Sequence, residues 1–331
     1  MRRYGWDDTL VVGTDGAQDL LSDDPAANPA FYSWNHVFMP YCTGDTWSGT
    51  RTADAPAPGA SRFVFAGHHN VRAAVAHLNA TAPDDNAAAP TLAGASHVLL
   101  SGASAGGIGT FQNADAARDS LFPRGALVKA APVSGGYFPG PVVEFVEYVV
   151  GVTAPLNALA SRWLTGWFGS ALNANCVAAF VAAGAPDDAH RCWDAGVLYE
   201  HIAAPLFVIQ NRFDQNQIND VLLCPTDRNT SRTVGFVESF GATMRDGLYA
   251  SVRGARGAAK GDGLFAPSCF THTSNMCMSG GPTAAGVRLR DVLPAWVARD
   301  DTSADGDTHM FIDACNDADR VDGPCNAHCE C

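Results

Sequence analysis

The segment Gly102-Ala103-Ser104-Ala105-Gly106 joins an aliphatic run, His97-Val98-Leu99-Leu100, to a stretch from residue 107 to about residue 121 that is compatible with a helix. A G-x-S-x-G segment at such a junction predicts a sharp turn from strand to helix, where the serine backbone is strained and its neighbours must be small. The flanking positions hold only alanine and glycine. The Ser104 hydroxyl is then expected to project above the carboxyl end of the strand, at the start of a helix whose amides favour negative charge. Ser104 is therefore the candidate nucleophile.

Aliphatic runs at 126–132 and 206–210 are typical of buried strands, and residues 35–41 predict a further short strand. Apolar residues also recur with the period of a helix at Val64, His68, Val71, Val75 and Leu78. Strands that alternate with helices predict a mostly parallel sheet with helices on both faces. We therefore expect an α/β fold of the α/β-hydrolase type, in which residues 1–331 form a single catalytic domain.

An apolar insertion at about 140–200 predicts a cap between two of these strands. Its segment 163–186 contains no charged residue and is long enough for a membrane span to be weighed, but Asn173 and Asn175 argue against a span. Apolar side chains of the cap could host an acyl chain or pack the cap onto the core, and we slightly favour packing. These side chains are Trp163, Leu164, Trp167, Phe168 and Phe180.

The charge balance and the cysteines limit the partners and the compartment. The chain has 34 acidic and 21 basic residues, a net charge of −13, and no cluster of Lys and Arg, so no nucleic-acid partner is expected. Ten cysteines, four of them in a Cys-rich tail at about 300–331, indicate an oxidising compartment and disulfides in preference to a zinc site. The residues after Met1 lack the apolar core of a signal peptide. We therefore expect a secreted protein whose sequence continues upstream.

A serine nucleophile needs a base that takes its proton and a carboxylate that holds the base in the correct tautomer. In α/β-hydrolases the three residues follow in the order Ser, Asp, His. Asp214 lies four residues beyond the strand predicted at 206–210, and a solvated turn residue is the alternative interpretation. Three histidines follow Asp214, namely His272, His309 and His328. The last two lie in acidic, Cys-rich sequence that indicates a solvent-facing role, so His272 is the candidate base.

Four segments carry a family resemblance. They are Pro40-Tyr41-Cys42-Thr43-Gly44-Asp45-Thr46-Trp47-Ser48-Gly49, Ser101-Gly102-Ala103-Ser104-Ala105-Gly106-Gly107, residues 207–218 and Ser268-Cys269-Phe270-Thr271-His272-Thr273. In order and spacing these segments resemble the pectin acetylesterase and Notum carboxylesterase family, from about residue 30 to residue 280. The Tyr-Cys loop together with Ser-Ala-Gly-Gly is more specific than the serine turn alone, and it is more similar to the Notum-like branch.

The resemblance implies that Ser104, Asp214 and His272 form a catalytic triad and that the Ala105 amide supplies one oxyanion position. It further implies a serine carboxylic ester hydrolase that removes an acetyl or longer acyl group from an acylated glycan or an acylated protein, without a cofactor or a metal. The family also carries a Gly-Gly-Trp-like segment upstream of the first matching strand, and this sequence has no match to it. A catalytically inactive, secreted binding protein on the same fold is therefore the alternative.

Overall fold

The computed structural model describes residues 20–59, 63–80, 91–136, 145, 156–225, 230–273, 278, 280–299, 309–313 and 329. Within these ranges the α-helices are α1 (Gly67–Ala80), α2 (Ala105–Ala116), α3 (Leu156–Phe168), α4 (Ala174–Ala182), α5 (Ala195–Leu198), α6 (Ser231–Arg253), α7 (Ala255–Lys260) and α8 (Leu289–Val297). The strands are β1 (His97–Ala103), β2 (Leu127–Val133), β3 (Phe207–Ile209), β4 (Gly263–Ala266), β5 (Thr283–Ala284), β6 (Val287–Arg288) and β7 (Met310–Ile312). Shorter helical turns lie at Leu92–Gly94, Ala117–Leu121, Pro186–Trp193, Tyr199–His201 and Gln217–Val221.

Five strands form one sheet in the order β1-β2-β3-β4-β7, and every neighbouring pair is parallel. The register pairs Ala103 with Val133, Val133 with Ile209, and Ile209 with Phe265. Strands β5 and β6 form a separate antiparallel hairpin. Because parallel strands all point the same way, the loops that follow β1, β2, β3 and β4 leave from one edge of the sheet.

Alternate residues of the strands pack on opposite faces of the sheet, as the two-residue period of a strand requires. One face packs Ala130, Leu206, Val208, Leu264 and Ala266 against α2, α5 and α6. The other face packs Ala131, Val133, Phe207, Ile209 and Phe265 against α8. The strands are therefore apolar on both sides, which is typical of a parallel sheet. The predicted α/β-hydrolase-like fold, with helices on both faces, is confirmed.

The cap lies between β2 and β3, and its described part contains α3 and α4. The Cys176–Cys192 disulfide ties α4 to the turn at Pro186–Trp193. Phe65 contacts Trp167 and Phe168, with ring centroids 4.9 Å apart in both pairs. Phe180 packs against the first core face. These contacts support the packing interpretation of the cap, whereas Trp163 is 60% exposed.

The uncharged stretch at 163–186 is divided between the end of α3 and the separate helix α4. No helix of the described ranges combines the length and the apolar character that crossing a bilayer requires.

The strand predicted at 35–41 is wrong. This segment forms no β-ladder with any strand of the described ranges, and Val37 and Phe38 are 50% and 41% exposed. An apolar run becomes a strand only where a neighbour satisfies its backbone groups, and sequence alone does not reveal that neighbour.

Asp115 connects α2 to the segment between β2 and β3. Its carboxylate accepts hydrogen bonds from the side-chain amides of Asn173 and Asn175 and from the backbone amides of Ala203 and Ala204, at 2.8 to 3.2 Å. The side chain is nearly fully buried. Four donors from two other segments therefore depend on this one carboxylate.

We expect Asp115→Ala to lower the free energy of unfolding by about 2 to 4 kcal/mol, because buried donors then lose their acceptor. Chemical denaturation measures the change. Asp119→Ala is the matched control, since Asp119 is exposed and pairs with the adjacent Arg118, and it should cost less than about 1 kcal/mol. Equal losses in the two variants would contradict the assigned role of Asp115.

Candidate active site

Ser104 stands between β1 and α2 with φ 57° and ψ −119°, a backbone conformation that side-chain-bearing residues rarely adopt. Such a conformation costs about 1 to 3 kcal/mol and persists where neighbouring structure enforces it. The Ser104 amide donates to the Val133 carbonyl of β2 at 3.0 Å, and the Ser104 carbonyl accepts from Ile108 of α2. The predicted strained turn between strand and helix is therefore present, and the amide of Ala105 begins the helix.

Two glycines let the helix approach the sheet at this turn. A Cβ atom at Gly102 would lie 2.5 Å from the Gly106 carbonyl oxygen. At Gly107 it would lie 2.4 Å from the Val133 carbonyl oxygen and 2.8 Å from the Cα of Gly135. A Cβ atom at Gly106, in contrast, meets no described atom within 4 Å. The sequence motif thus identifies the turn, but the crowding falls on Gly102 and Gly107.

Backbone hydrogen bonds align the residues that follow β1, β2 and β3. Beyond the Ser104–Val133 bond, the Ser134 amide donates to Ile209 at 2.9 Å, and the Gln210 amide donates to Phe265 at 3.0 Å. Adjacent strands lie about 4.8 Å apart, so the backbones after β1 and β3 are separated by about 10 Å across the end of β2. Long side chains from the later loops can bridge such a gap.

Asp214 follows β3, and its carboxylate is fully buried. Oδ1 accepts from the backbone amide of Gln217 at 3.1 Å, and Oδ2 accepts from Nε2 of Gln210 at 3.0 Å. Both oxygens lie 3.0 Å from Nδ1 of His272. The alternative of a solvated turn residue is therefore wrong, because a carboxylate removed from water requires such donors.

His272 follows β4 and is brought into direct contact with Asp214. With Nδ1 donating its proton to the carboxylate, Nε2 carries the lone pair, which is the tautomer that a general base requires. Nε2 is buried and has no hydrogen-bond partner among the described residues. Ser104 lies at the same edge of the sheet, but its hydroxyl forms no hydrogen bond with the ring. The roles of Ser104, Asp214, His272 and the Ala105 amide stay predictions.

Several contacts fix the loop that carries His272. The Asn211 side-chain amide donates to the Thr271 carbonyl at 2.9 Å. Cys269 forms a disulfide with Cys329, which is 60 residues further along the chain. Before it, both the amide and the hydroxyl of Ser268 donate to the Asp313 carboxylate, at 2.8 and 2.9 Å. The loop is therefore held from β3, from β7 and from the tail.

His309 does not share this position. The carbonyl of His309 accepts from the Leu264 amide at the amino end of β7, which lies at the opposite edge of the sheet. His328 lies outside the described residues, as do three of the four tail cysteines. Among the residues that the structure describes, no group of three or more His, Cys, Asp or Glu is arranged to hold a metal ion.

The segment 43–49 forms a second loop that packs on α2. Buried Asp45 accepts from the Thr43 hydroxyl and from the amides of Trp47 and Gly67, the last of which begins α1. Thr46 and Trp47 have φ values of 52° and 60°. A Cβ atom at Gly109 of α2 would lie 2.4 Å from the Trp47 ring. Asp45 thus holds a strained loop against α2.

Several polar residues around Asp214 were not predicted from the sequence. Gln210, Asn211 and Gln217 are at most 2% exposed, and each has at least one side-chain atom without a described partner. Ser134, at the end of β2, has φ 46° and a buried hydroxyl without a described partner. The sequence does place amide side chains at the end of a predicted buried strand. Buried polar groups normally form hydrogen bonds, so these residues could have been predicted to contact other polar groups of the site.

We expect Gly107→Ala to destabilise the protein by about 1 to 3 kcal/mol or more, because its Cβ atom would collide with backbone atoms that cannot rotate away. Gly106→Ala is the matched control. It places the same methyl group in open space within a helix and should be neutral or stabilising by up to about 1 kcal/mol. Chemical denaturation of both variants gives the comparison, and a tolerated Gly107→Ala would show that α2 does not press on β2.

We expect Cys329→Ser to lower the free energy of unfolding by about 2 to 5 kcal/mol, since the tail then no longer anchors the His272 loop. Amide hydrogen exchange at 267–273 should accelerate. Cys42→Ser, which alters an exposed cysteine outside any disulfide, is the control and should change neither quantity. Unchanged exchange in Cys329→Ser would mean that the other contacts suffice to hold the loop.

Comparison with known sequences supports the resemblance. The family model described as Pectinacetylesterase matches residues 13–330. The chain is 29% identical over 271 residues to Palmitoleoyl-protein carboxylesterase NOTUM of Drosophila melanogaster, covering 81% of this chain and 35% of that protein. It is 27% identical over 297 residues to Pectin acetylesterase 11 of Arabidopsis thaliana, covering 85% and 69% of the two chains. The chain thus spans about a third of the length of the Drosophila protein.

Comparison with solved structures gives the same fold. A crystal structure of the Wnt deacylase Notum from Drosophila is similar to this chain with a TM-score of 0.67 and 23% sequence identity, over 90% of this chain and 76% of that one. At this identity the likeness shows the fold alone. The family model, in contrast, matches nearly the whole sequence, and the chain therefore belongs to the pectinacetylesterase family.

Proposed function

We propose that the chain is a serine carboxylic ester hydrolase. The observation that carries the proposal is the contact between the buried Asp214 carboxylate and the partly buried His272 ring, whose Nε2 has no described partner and lies at the same sheet edge as Ser104. A hydroxyl on a strained turn, a base with its lone pair free and an orienting carboxylate are the parts that activate a serine. Family membership supports the same activity, because the relatives named above are esterases.

In the proposed reaction the Ser104 oxygen attacks the ester carbonyl while its proton moves to Nε2 of His272. The C–O bond to the alcohol breaks, the alcohol takes that proton from the ring, and an acyl-enzyme remains. Water then attacks the acyl carbon with His272 again as base, which releases the carboxylic acid and restores Ser104. Asp214 keeps Nδ1 protonated and stabilises the imidazolium that forms in each step.

The amino end of α2 is the proposed binding place for the oxyanion. The first amides of a helix lack internal acceptors, and the helix dipole adds partial positive charge there. The Ala105 amide directly follows the nucleophile, and it supplies one donor. Ser104 and His272 share no hydrogen bond in this structure, and such bonds commonly shorten when substrate binds.

An acylated glycan or an acylated protein is the proposed substrate class. The relatives carry the names pectin acetylesterase and palmitoleoyl-protein carboxylesterase, one for each class. A series of p-nitrophenyl esters from acetyl to long chains would measure the acyl length that the site accepts. Ten cysteines and the disulfides Cys176–Cys192 and Cys269–Cys329 support a proposed location in the secretory pathway.

We expect a fluorophosphonate probe to label the wild-type protein and not Ser104→Ala, since the probe reacts with an activated serine oxygen. Hydrolysis of p-nitrophenyl acetate should fall by about 10⁴-fold or more in Ser104→Ala. Ser101→Ala is the matched control, because Ser101 lies on β1, three residues before Ser104, and its hydroxyl donates to the Ala131 carbonyl. This variant should keep both labelling and turnover. Labelling of Ser104→Ala, or a wild type that neither reacts nor hydrolyses esters, would overturn the proposal.

A further inference from the structure

Gln210 lies directly behind the carboxylate of Asp214. Its Nε2 donates to Oδ2 of Asp214 at 3.0 Å and also lies 3.3 Å from the Asn211 carbonyl. The side chain is fully buried. Oδ2 therefore has two donors, the neutral amide of Gln210 and the imidazole of His272.

The backbone of Gln210 is held by a hydrogen bond to the neighbouring strand β4. It directly follows β3, and its amide donates to Phe265 of β4 at 3.0 Å. The other carboxylate oxygen, Oδ1, is held by the Gln217 amide at 3.1 Å. With one donor on each oxygen in addition to the ring, the carboxylate plane cannot rotate without losing a bond.

We propose that Gln210 is a positioning residue that fixes the carboxylate plane of Asp214 and limits how strongly this carboxylate attracts the proton on His272. The inference rests on the proposed function. A hydrogen bond stabilises a charged carboxylate, and a carboxylate that already receives a neutral donor stabilises an imidazolium less. Gln210 thus weakens the attraction of the Asp214 carboxylate for the imidazolium, while Asp214 still orients the ring.

Three other charged residues of the described loops after β3 and β7 form hydrogen bonds with residues other than Asp214 and His272. The buried Arg212 guanidinium donates to the Asp313 carbonyl. The Asp313 carboxylate accepts from Ser268 and from the Ala285 amide, and Asp220 accepts from Asn216. A change at Gln210 is therefore expected to act on His272 through Asp214.

The test is Gln210→Met, which keeps the length of the side chain and removes the donor. We expect kcat to fall about tenfold with little change in KM, and the acidic limb of the pH profile of kcat/KM to move up by about 0.5 to 1 pH unit. The sign follows from Asp214, which loses a donor and then stabilises protonated His272 more strongly. NMR titration of His272 in a Ser104→Ala background should show its pKa raised by a similar amount. An acidic limb and a His272 titration that both stay at the wild-type position would overturn the inference.

Gln210→Leu is a second variant without the donor if the methionine variant fails to fold. It should move the acidic limb up by about as much as methionine does. The matched control is Gln112→Met, because Gln112 is a buried glutamine whose Nε2 donates to the Cys192 and Trp193 carbonyls, away from Asp214. It should lower stability comparably and leave the pH profile in place. An equal shift in Gln112→Met would show that the effect is general destabilisation.

Ser104→Ala separates the two proposals. Retained ester hydrolysis in that variant would overturn the proposed function. Loss of hydrolysis in Ser104→Ala together with a wild-type pH profile in Gln210→Met would overturn the role of Gln210 alone.

Discussion

Hydrogen bonds between the strand ends set the distances across the candidate site. Ser104, Ser134 and Gln210 each follow a strand and each donate a backbone bond to the next strand. This arrangement leaves Ser104 and Asp214 on loops two strands apart, and the proposed triad requires the imidazole of His272 to span that gap. Gly107 then decides how closely α2 can approach the sheet, because a Cβ atom there would collide with β2. The site thus depends first on backbone contacts and only then on the polar side chains.

Much of the fold could be predicted because its signals are local. The runs before Ser104 and Asp214 are continuous and apolar, and both became strands of the parallel sheet. Strand β4 was missed because Gly263–Ala266 has only two large apolar residues, Leu264 and Phe265, between a glycine and an alanine. The strand predicted at 35–41 was wrong because this run, although its residues are typical of a strand, has no described neighbour to pair with.

The candidate site was predictable in its residue types and not in its supporting contacts. Order along the chain and family resemblance identified Asp214 and His272, which the structure brings together. Nothing local indicates that Cys269 pairs with Cys329, because pairing at a separation of 60 residues is a property of the folded chain. The contact of Gln210 was likewise not predictable from the sequence. It depends on the Asp214 carboxylate, four residues later, folding back against the Gln210 side chain.

The Cys269–Cys329 link has a consequence for when the protein matures. Cys329 is synthesised 60 residues after Cys269. When the segment carrying His272 leaves the ribosome, the partner of its disulfide has therefore not yet been made. Strands β1 to β4 can be synthesised before this restraint exists, and the loop gains it only once residue 329 has emerged and the two thiols are oxidised.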